Sequence, residues 1–257
     1  MLTLAIVSLS GGQGKTTCAL FLGKRLAKEG WPTLVVDADP QHNLTTYLEA
    51  KVDQQPTLLE FLKKAVELSE AIYPVDGKDN LYIIPSDDAL DAANEYLASS
   101  GAAAILLKRR LEVLKDTFKV CLIDAPPQRS QICLSIVGAA DYLLIPAEAT
   151  VKGYGSLVRS IDLWKSMRDE LKVSEAELLG VLPFRDRWIG LTQSKESQLS
   201  VTAMGEEVGR EFILPSIRES ERYKQAINQG KLLSEMGFGD LEYPFDVLVD
   251  LIKGLIN

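Results

Sequence analysis

The sequence predicts an α/β protein built on a mostly parallel central sheet with helices on both faces. Three observations predict it. Apolar, β-rich runs alternate with helical stretches along the 257 residues, as they do where crossover helices join parallel strands. Runs such as Tyr82-Ile83-Ile84 and Cys121-Leu122-Ile123 contain no polar residue, as expected of strands covered on both faces. The residues with chemical character follow strand-like runs: Ser10 after the first, Asp37 after the second, Asp124 and Pro146 later. That order puts a site at the carboxyl edge of the sheet.

The first strand-like run, residues 2–9, leads into Ser10-Gly11-Gly12-Gln13-Gly14-Lys15-Thr16-Thr17 and a helix read over 15–29. Glycines at 11, 12 and 14 let the backbone curl so that successive N–H groups point at one centre, and the helix start adds its positive end. Such a P-loop binds a nucleotide phosphate through residues Gly11, Gly12, Gln13, Gly14, Lys15, Thr16 and Thr17. Lys15 would meet the β- and γ-phosphates, and Thr16 would hold Mg²⁺. A second strand, 33–37, ends in Asp37-Ala38-Asp39-Pro40-Gln41, whose two carboxylates project from one side of an extended chain. One can serve a metal, the other a water. No strand or helix is read over residues 51–78. A strand at 81–85, a helix at 101–117 and a strand at 120–124 follow, the last ending in Asp124-Ala125-Pro126-Pro127. An acid there matches a Walker B element, which fixes Mg²⁺ through its water shell. Strands at 142–146, 178–183 and 212–215 and helices at 151–169, 196–211 and 244–256 complete the order. A single strand-end Asp ordinarily caps the next helix. Three of them behind a phosphate loop favour a metal and water site.

Composition narrows the choice. The 46% hydrophobic and 25% charged content is that of a globular protein, read as one domain over 1–257. No apolar stretch reaches the roughly 20 residues of a membrane span. With no secretory pattern at Met1-Leu2-Thr3, the expected compartment is the cytoplasm. Cys18, Cys121 and Cys133 stand in apolar surroundings and read as buried free thiols. A net charge of −8 excludes a uniformly basic surface, so any nucleic-acid site must be a patch. The candidates are Lys108-Arg109-Arg110 with Lys115, Arg185-Asp186-Arg187-Trp188, and Arg218 with Arg222 and Lys224. Taken singly, each reads as a solvated face. His42, the one histidine, reads as a solvated loop residue, since phosphoryl transfer needs positioning more than a strong base.

The loop, Asp37-x-Asp39-Pro40-Gln41 and Asp124-x-Pro126-Pro127 come in the order of the ParA/MinD family of P-loop ATPases. The chain resembles that family nearly throughout, more weakly at 142–146, at Gly180-Val181-Leu182-Pro183 and from Ile213 to Arg218. The resemblance implies Mg²⁺-dependent hydrolysis of ATP, with Asp39 orienting the attacking water and Asp37 supporting the metal shell. It places adenine near Phe184 and Pro215, and makes Asn43 the residue tying the switch loop to the phosphate end. It also implies an ATP-bound homodimer, sequence-independent binding to double-stranded nucleoid DNA, and release by an adaptor that stimulates hydrolysis. Arg185, Arg187, Arg218, Arg222 and Lys224 are the DNA contacts to test first.

The loop departs from the family pattern, Lys-Gly-Gly-x-Gly-Lys-Thr, at its first lysine, which is Ser10; the glycine of the generic loop is Leu9. In the family that lysine crosses the dimer interface to the partner's phosphates. A serine hydroxyl is too short and carries no charge to balance the phosphoryl group. The carboxysome-positioning branch of the family is similar in having serine there, and the resemblance implies that a lysine from the later half of the chain takes over. Lys152, in Glu148-Ala149-Thr150-Val151-Lys152-Gly153-Tyr154-Gly155, is the matching candidate, and its two following glycines would let backbones approach closely. Alone, it reads as a surface lysine at a helix start. The rival readings are a plasmid or chromosome partition ATPase with a ParB-like partner, and a MinD-like membrane switch. For the second, residues 243–256 are apolar enough, but carry two acids against one lysine where a membrane-surface helix is basic, so docking on the sheet is expected. A small-molecule P-loop kinase needs an acceptor pocket that no residues announce, and an iron–sulfur reductase needs bridging cysteines.

Overall fold

β1 (Leu2–Ile6) is buried along its whole length and lies inside an eight-stranded sheet. The structure, a computed structural model, describes residues 1–50, 52 and 55–256. Lys51, Asp53 and Gln54 of the unassigned 51–78 stretch, and Asn257, last of the single domain read over 1–257, lie outside the described residues. From β1 the chain passes through α1 (Lys15–Lys28) to β2 (Thr33–Asp37), then α2 (Asn43–Tyr47) and α3 (Leu58–Lys63). A short edge strand, β3 (Tyr73–Pro74), precedes β4 (Leu81–Ile84), α4 (Ala92–Ser99) and α5 (Ala103–Leu111). β5 (Val120–Asp124), α6 (Gln131–Ala139), β6 (Tyr142–Glu148), α7 (Val151–Lys165) and β7 (Glu177–Asp186) continue the alternation. A small hairpin of β8 (Trp188–Ile189) and β9 (Thr192–Gln193) leads to α8 (Lys195–Val208), β10 (Ile217–Arg218), α9 (Arg222–Asn228) and α10 (Tyr243–Ile256).

The strand order is β10-β7-β6-β1-β5-β2-β4-β3, parallel throughout except for β3 against β4. Side-chain alternation divides the core into two layers. Leu4 and Ile6 of β1, Val35 of β2 and Leu122 of β5 pack with α1 and α10; Ala5, Leu34, Val36, Cys121 and Ile123 pack with α3 to α6. A third cluster joins β6 and β7 to α7 and α8. All three cysteines are buried and free, and burial raises each thiol above its ordinary range.

Several elements differ from the sequence reading. β1 ends at Ile6 rather than at residue 9, because the chain turns there into the loop. Residues 212–215 form no strand: Arg210–Phe212 is a 3-10 turn, and Ile213 touches the sheet only as a single bridge to Val181. Pro215 has no N–H for a ladder, so the edge strand starts after it at Ile217. α6 escapes a periodicity search because seven of its nine residues are buried, leaving no polar face to mark the helix. α10 docks chiefly on α1 rather than on the sheet, with Phe21 stacked on Phe245 at 5.5 Å and Arg25 Nε donating to Asp246 at 3.0 Å.

α5 and α6 approach so closely that a Cβ added at Gly138 would stand 1.8 Å from the carbonyl oxygen of Ala104. Backbone cannot swing aside as a side chain can. Gly138→Ala is therefore expected to cost about 1–3 kcal/mol of stability, read as an earlier denaturant midpoint. An unchanged midpoint would mean that α6 slides freely on α5.

Candidate nucleotide and metal site

The loop after β1 is shaped by glycine at two left-handed positions, Gly12 (φ 80°) and Gly14 (φ 93°). At Gly14 space matters as well, because a Cβ there would lie 2.5 Å from the Phe184 ring. The end of β7 thus roofs the phosphate loop. Lys15, 6% exposed, donates from Nζ to the Ser10 carbonyl at 3.2 Å. Burial lowers its pKa, and the charges of Asp124 and Asp39 act against that shift. A cleft of about 400 Å³ opens over the loop, lined by Gly11 to Thr17 together with Asp39, Asn43 and Phe184. Gln41, Tyr47, Pro127, Arg185, Lys224 and Ile227 complete its walls.

Parallel pairing puts Asp37 opposite Asp124 at the carboxyl ends of β2 and β5. Asp37 is committed to the protein: Oδ2 accepts from the Thr45 N–H and hydroxyl, both at 2.8 Å, and Oδ1 accepts from the Asp39 N–H at 3.2 Å. Burial still pushes its carboxyl up to about 6. Asp124 is different. It is 1% exposed, and neither carboxylate oxygen has a hydrogen-bond partner among the described residues. Burial and then the charge of Asp37 push its pKa well above the ordinary carboxylate range, while nearby Thr16 and Lys15 temper the rise. An unpartnered buried carboxylate beside the first turn of α1 fits a cation. Thr16 and Asp124 would hold Mg²⁺, and Asp37 would stand behind them as an orienting group rather than a ligand. No group of three His, Cys, Asp or Glu side chains able to hold a metal gathers among the described residues, so such an ion would take its other ligands from phosphate and water.

Asp39 lines the cleft, its Oδ1 accepting from the Gln41 N–H at 3.0 Å and its carbonyl from the Ser86 hydroxyl at 2.8 Å. Asn43 starts α2 on the same wall. His42, half-buried at the start of α2, lies 3.4 Å from the Thr46 hydroxyl and 3.6 Å from Asp88. Thr45 and Ser86, which set the two aspartates, carry no signal in the sequence: one is a threonine in a short helix and the other a serine after a strand.

α7 is held to the segment between β1 and the phosphate loop by its second and third turns. The Ser8 and Ser156 hydroxyls meet at 3.0 Å, and the Leu9 N–H donates to Ser160 at 3.1 Å. Lys152 lies exposed in the first turn, without a hydrogen bond or ion pair among the described residues. Gly153 is required, since a Cβ there would stand 1.8 Å from the Glu148 carbonyl oxygen; at Gly155 the nearest atom would be 3.5 Å away, so only the first glycine serves a close approach.

The basic candidates divide. Arg185, with a left-handed φ of 50°, and Lys224 line the cleft over the phosphate loop. Arg185 lies 5.4 Å over the Phe184 ring and 3.5 Å from Glu148. Arg218 stacks on Trp188 at 4.5 Å, and Arg222 on Phe238 at 4.4 Å. Arg187 is exposed. Lys108 pairs with Glu175, and Arg110 donates to the Leu62 carbonyl, as a solvated helix face would. Phe184 lines the cleft, whereas Pro215 lines a separate cavity of about 450 Å³ with Trp188, Arg218 and Tyr223. A third cavity of about 270 Å³ shares Thr17, Phe184, Arg185 and Lys224 with the cleft.

The AAA_31 family model, an AAA domain, matches residues 1–173. The chain is 53% identical over 251 residues to the maintenance of carboxysome distribution protein A of Synechococcus elongatus, covering 97% of this chain and 98% of that protein. It is 30% identical to the chromosome-partitioning ATPase Soj of Thermus thermophilus over 223 residues, 85% of this chain and 83% of Soj. Among solved structures, the ATP complex of a Cyanothece McdA carrying an aspartate-to-alanine substitution matches with a TM-score of 0.95 at 51% identity, over 98% of this chain and 96% of that one. Identity of this extent over almost the full length, with the fold preserved, places the chain in the McdA family, the carboxysome-distribution branch of the ParA-like ATPases.

Proposed function

We propose that this protein distributes carboxysomes as an ATP-driven positioning switch in the cytoplasm. It binds ATP with Mg²⁺, closes with a second copy into a sandwich homodimer, and in that state holds nucleoid DNA without regard to sequence. An McdB-like adaptor stimulates hydrolysis to ADP and phosphate and releases it. The observation that carries this reading is Lys152: an exposed ammonium on a helix pinned to a phosphate loop whose Ser10 supplies no charge.

The N–H groups of Gly11 to Thr17 cradle the phosphates, and Lys15 exchanges the Ser10 carbonyl for the β- and γ-oxygens. Bound Mg²⁺ supplies neutralisation of charge on those oxygens, held from the protein side by Thr16 and Asp124. Asp39 orients the water that attacks the γ-phosphorus as ADP leaves. Lys152 from the second copy offsets the charge spreading over the transferred group. With the chain at −8, DNA contact is confined to a patch, for which Arg185, Arg187, Arg218, Arg222 and Lys224 are the candidates, Arg185 and Lys224 also lining the cleft. Such binding weakens steeply with salt. Plasmid or chromosome partition with a ParB-like partner would use the same chemistry, but identity to the carboxysome branch is 53% against 30% to Soj. A MinD-like membrane helix is disfavoured because the apolar face of α10 already rests on α1.

The test is ATP-dependent binding to nonspecific duplex DNA by wild type, Asp39→Ala and Lys152→Ala. Asp39→Ala should bind at least as well as wild type, since hydrolysis no longer releases it. Lys152→Ala should lose dimerisation and DNA binding while keeping ATP. Dimerisation of Lys152→Ala at the wild-type level would overturn the reading.

A further inference from the structure

The Gln13 side chain is fully buried, although the loop uses only the backbone N–H of this position to meet phosphate. A buried amide is retained where its hydrogen bonds are made. Gln13 Oε1 accepts from the Glu148 N–H at 2.9 Å, and Nε2 donates to the Gly11 carbonyl at 3.4 Å. One side chain therefore spans the phosphate loop and the end of β6.

From Glu148 onward the chain has little freedom. The Ala149 N–H donates to the Phe184 carbonyl at 2.8 Å, and Gly153 N–H donates to the Thr150 hydroxyl at 3.2 Å. Gly153 leaves no room for a Cβ against the Glu148 carbonyl. Where Glu148 sits, the first turn of α7 and Lys152 follow. Ser156 and Ser160 hold α7 only further along the helix. On its other side, the Glu148 carboxylate lies 3.5 Å from Arg185 on the cleft wall.

We infer that Gln13 is a positioning residue: its amide ties the geometry of the phosphate loop to Glu148 and so aims Lys152 at the nucleotide of a second copy of this chain. The inference rests on the dimer reading above. It gives the loop's variable position a purpose in a chain where the cross-subunit cation comes from α7 instead of from residue 10.

The test is Gln13→Met, which keeps the length of the side chain and removes both hydrogen bonds; Gln13→Ala serves if the first variant does not fold. ATP affinity of the monomer should stay within about threefold, because the backbone N–H remains. ATP-dependent dimerisation, followed by sedimentation, and kcat should fall about tenfold to a hundredfold, with KM little changed. In a Lys152→Ala background Gln13→Met should add no further fall in the residual kcat, since it acts through that lysine. A Gln13→Met protein that dimerises and turns over as wild type would overturn the inference. So would a loss that adds in full to that of Lys152→Ala, or a parallel collapse of ATP affinity. Wild-type behaviour of Lys152→Ala alone would bring down the dimer reading and this inference together; a defective Lys152→Ala beside a normal Gln13→Met brings down only the inference.

Discussion

Asp124→Asn is expected to fold at least as well as wild type without nucleotide and to hydrolyse ATP about 10²–10³-fold more slowly, the loss that follows when several kcal/mol of metal-borne charge stabilisation go. The two effects have one cause. Asp124 is buried with both oxygens unpartnered and with Asp37 opposite it across β2 and β5, an arrangement costly to the folded chain until a cation arrives. Asparagine has the same shape without the charge. The sign of the pH dependence follows from the raised pKa. An acid that keeps its proton longer in the folded state binds more protons folded than unfolded, so the nucleotide-free wild type loses stability as pH rises from the unfolded value, 3.8, through the raised one. The advantage of Asp124→Asn should be least at acid pH and grow until Asp124 is ionised in the folded protein. Asp37, pushed up to about 6 chiefly by burial, adds a loss of the same sign to the wild type as pH rises. Thermal melts across pH, with and without ATP and Mg²⁺, read both parts. A variant that keeps Mg²⁺-dependent stabilisation and hydrolysis would exclude Asp124 from the metal site.

The phosphate loop and its acids were legible because their chemistry is local. Glycines at fixed offsets after a strand have few structural purposes besides a tight turn around an anion, and the structure uses Gly12 and Gly14 in left-handed geometry. The departure at Ser10 was equally plain and led to Lys152 on α7, the helix that Ser156 and Ser160 hold to the loop. What stayed hidden depends on pairs that meet only in three dimensions. Arg185 and Lys224 are surface cations in the sequence, and only the meeting of β7 with α9 brings both to the wall of the cleft over the phosphate loop. Asp37 reads as a metal residue by its place in the chain, yet Thr45, eight residues on, takes up its Oδ2. The edge of the sheet was misplaced because an apolar run around Pro215 satisfies a composition pattern that the ladder's need for N–H groups forbids.

Gly14→Ala is expected to lose ATP binding and to lower the stability of the nucleotide-free protein by about 2–4 kcal/mol, from two separable sources. The first is backbone: Gly14 has φ 93° and ψ 11°, and an L side chain in left-handed geometry costs about 1–2 kcal/mol. The second is contact, since three atoms of the Phe184 ring lie 2.5, 2.6 and 2.8 Å from the new methyl. That ring cannot yield without consequence. Its own backbone is fixed by the Ala149 N–H at 2.8 Å, and Arg185 rests over its face. A displaced Phe184 would therefore disturb the wall of the cleft at the moment the loop itself is strained. Combining Gly14→Ala with Phe184→Leu separates the sources: the smaller side chain should restore the part due to contact, a coupling of about 0.5–3 kcal/mol, and leave the backbone part in place. Denaturant melts give the stabilities, and titration with a nonhydrolysable ATP analogue gives the affinities. Full recovery in the double variant would show that the left-handed turn carries no strain; wild-type affinity in Gly14→Ala would show that the loop binds phosphate without this glycine.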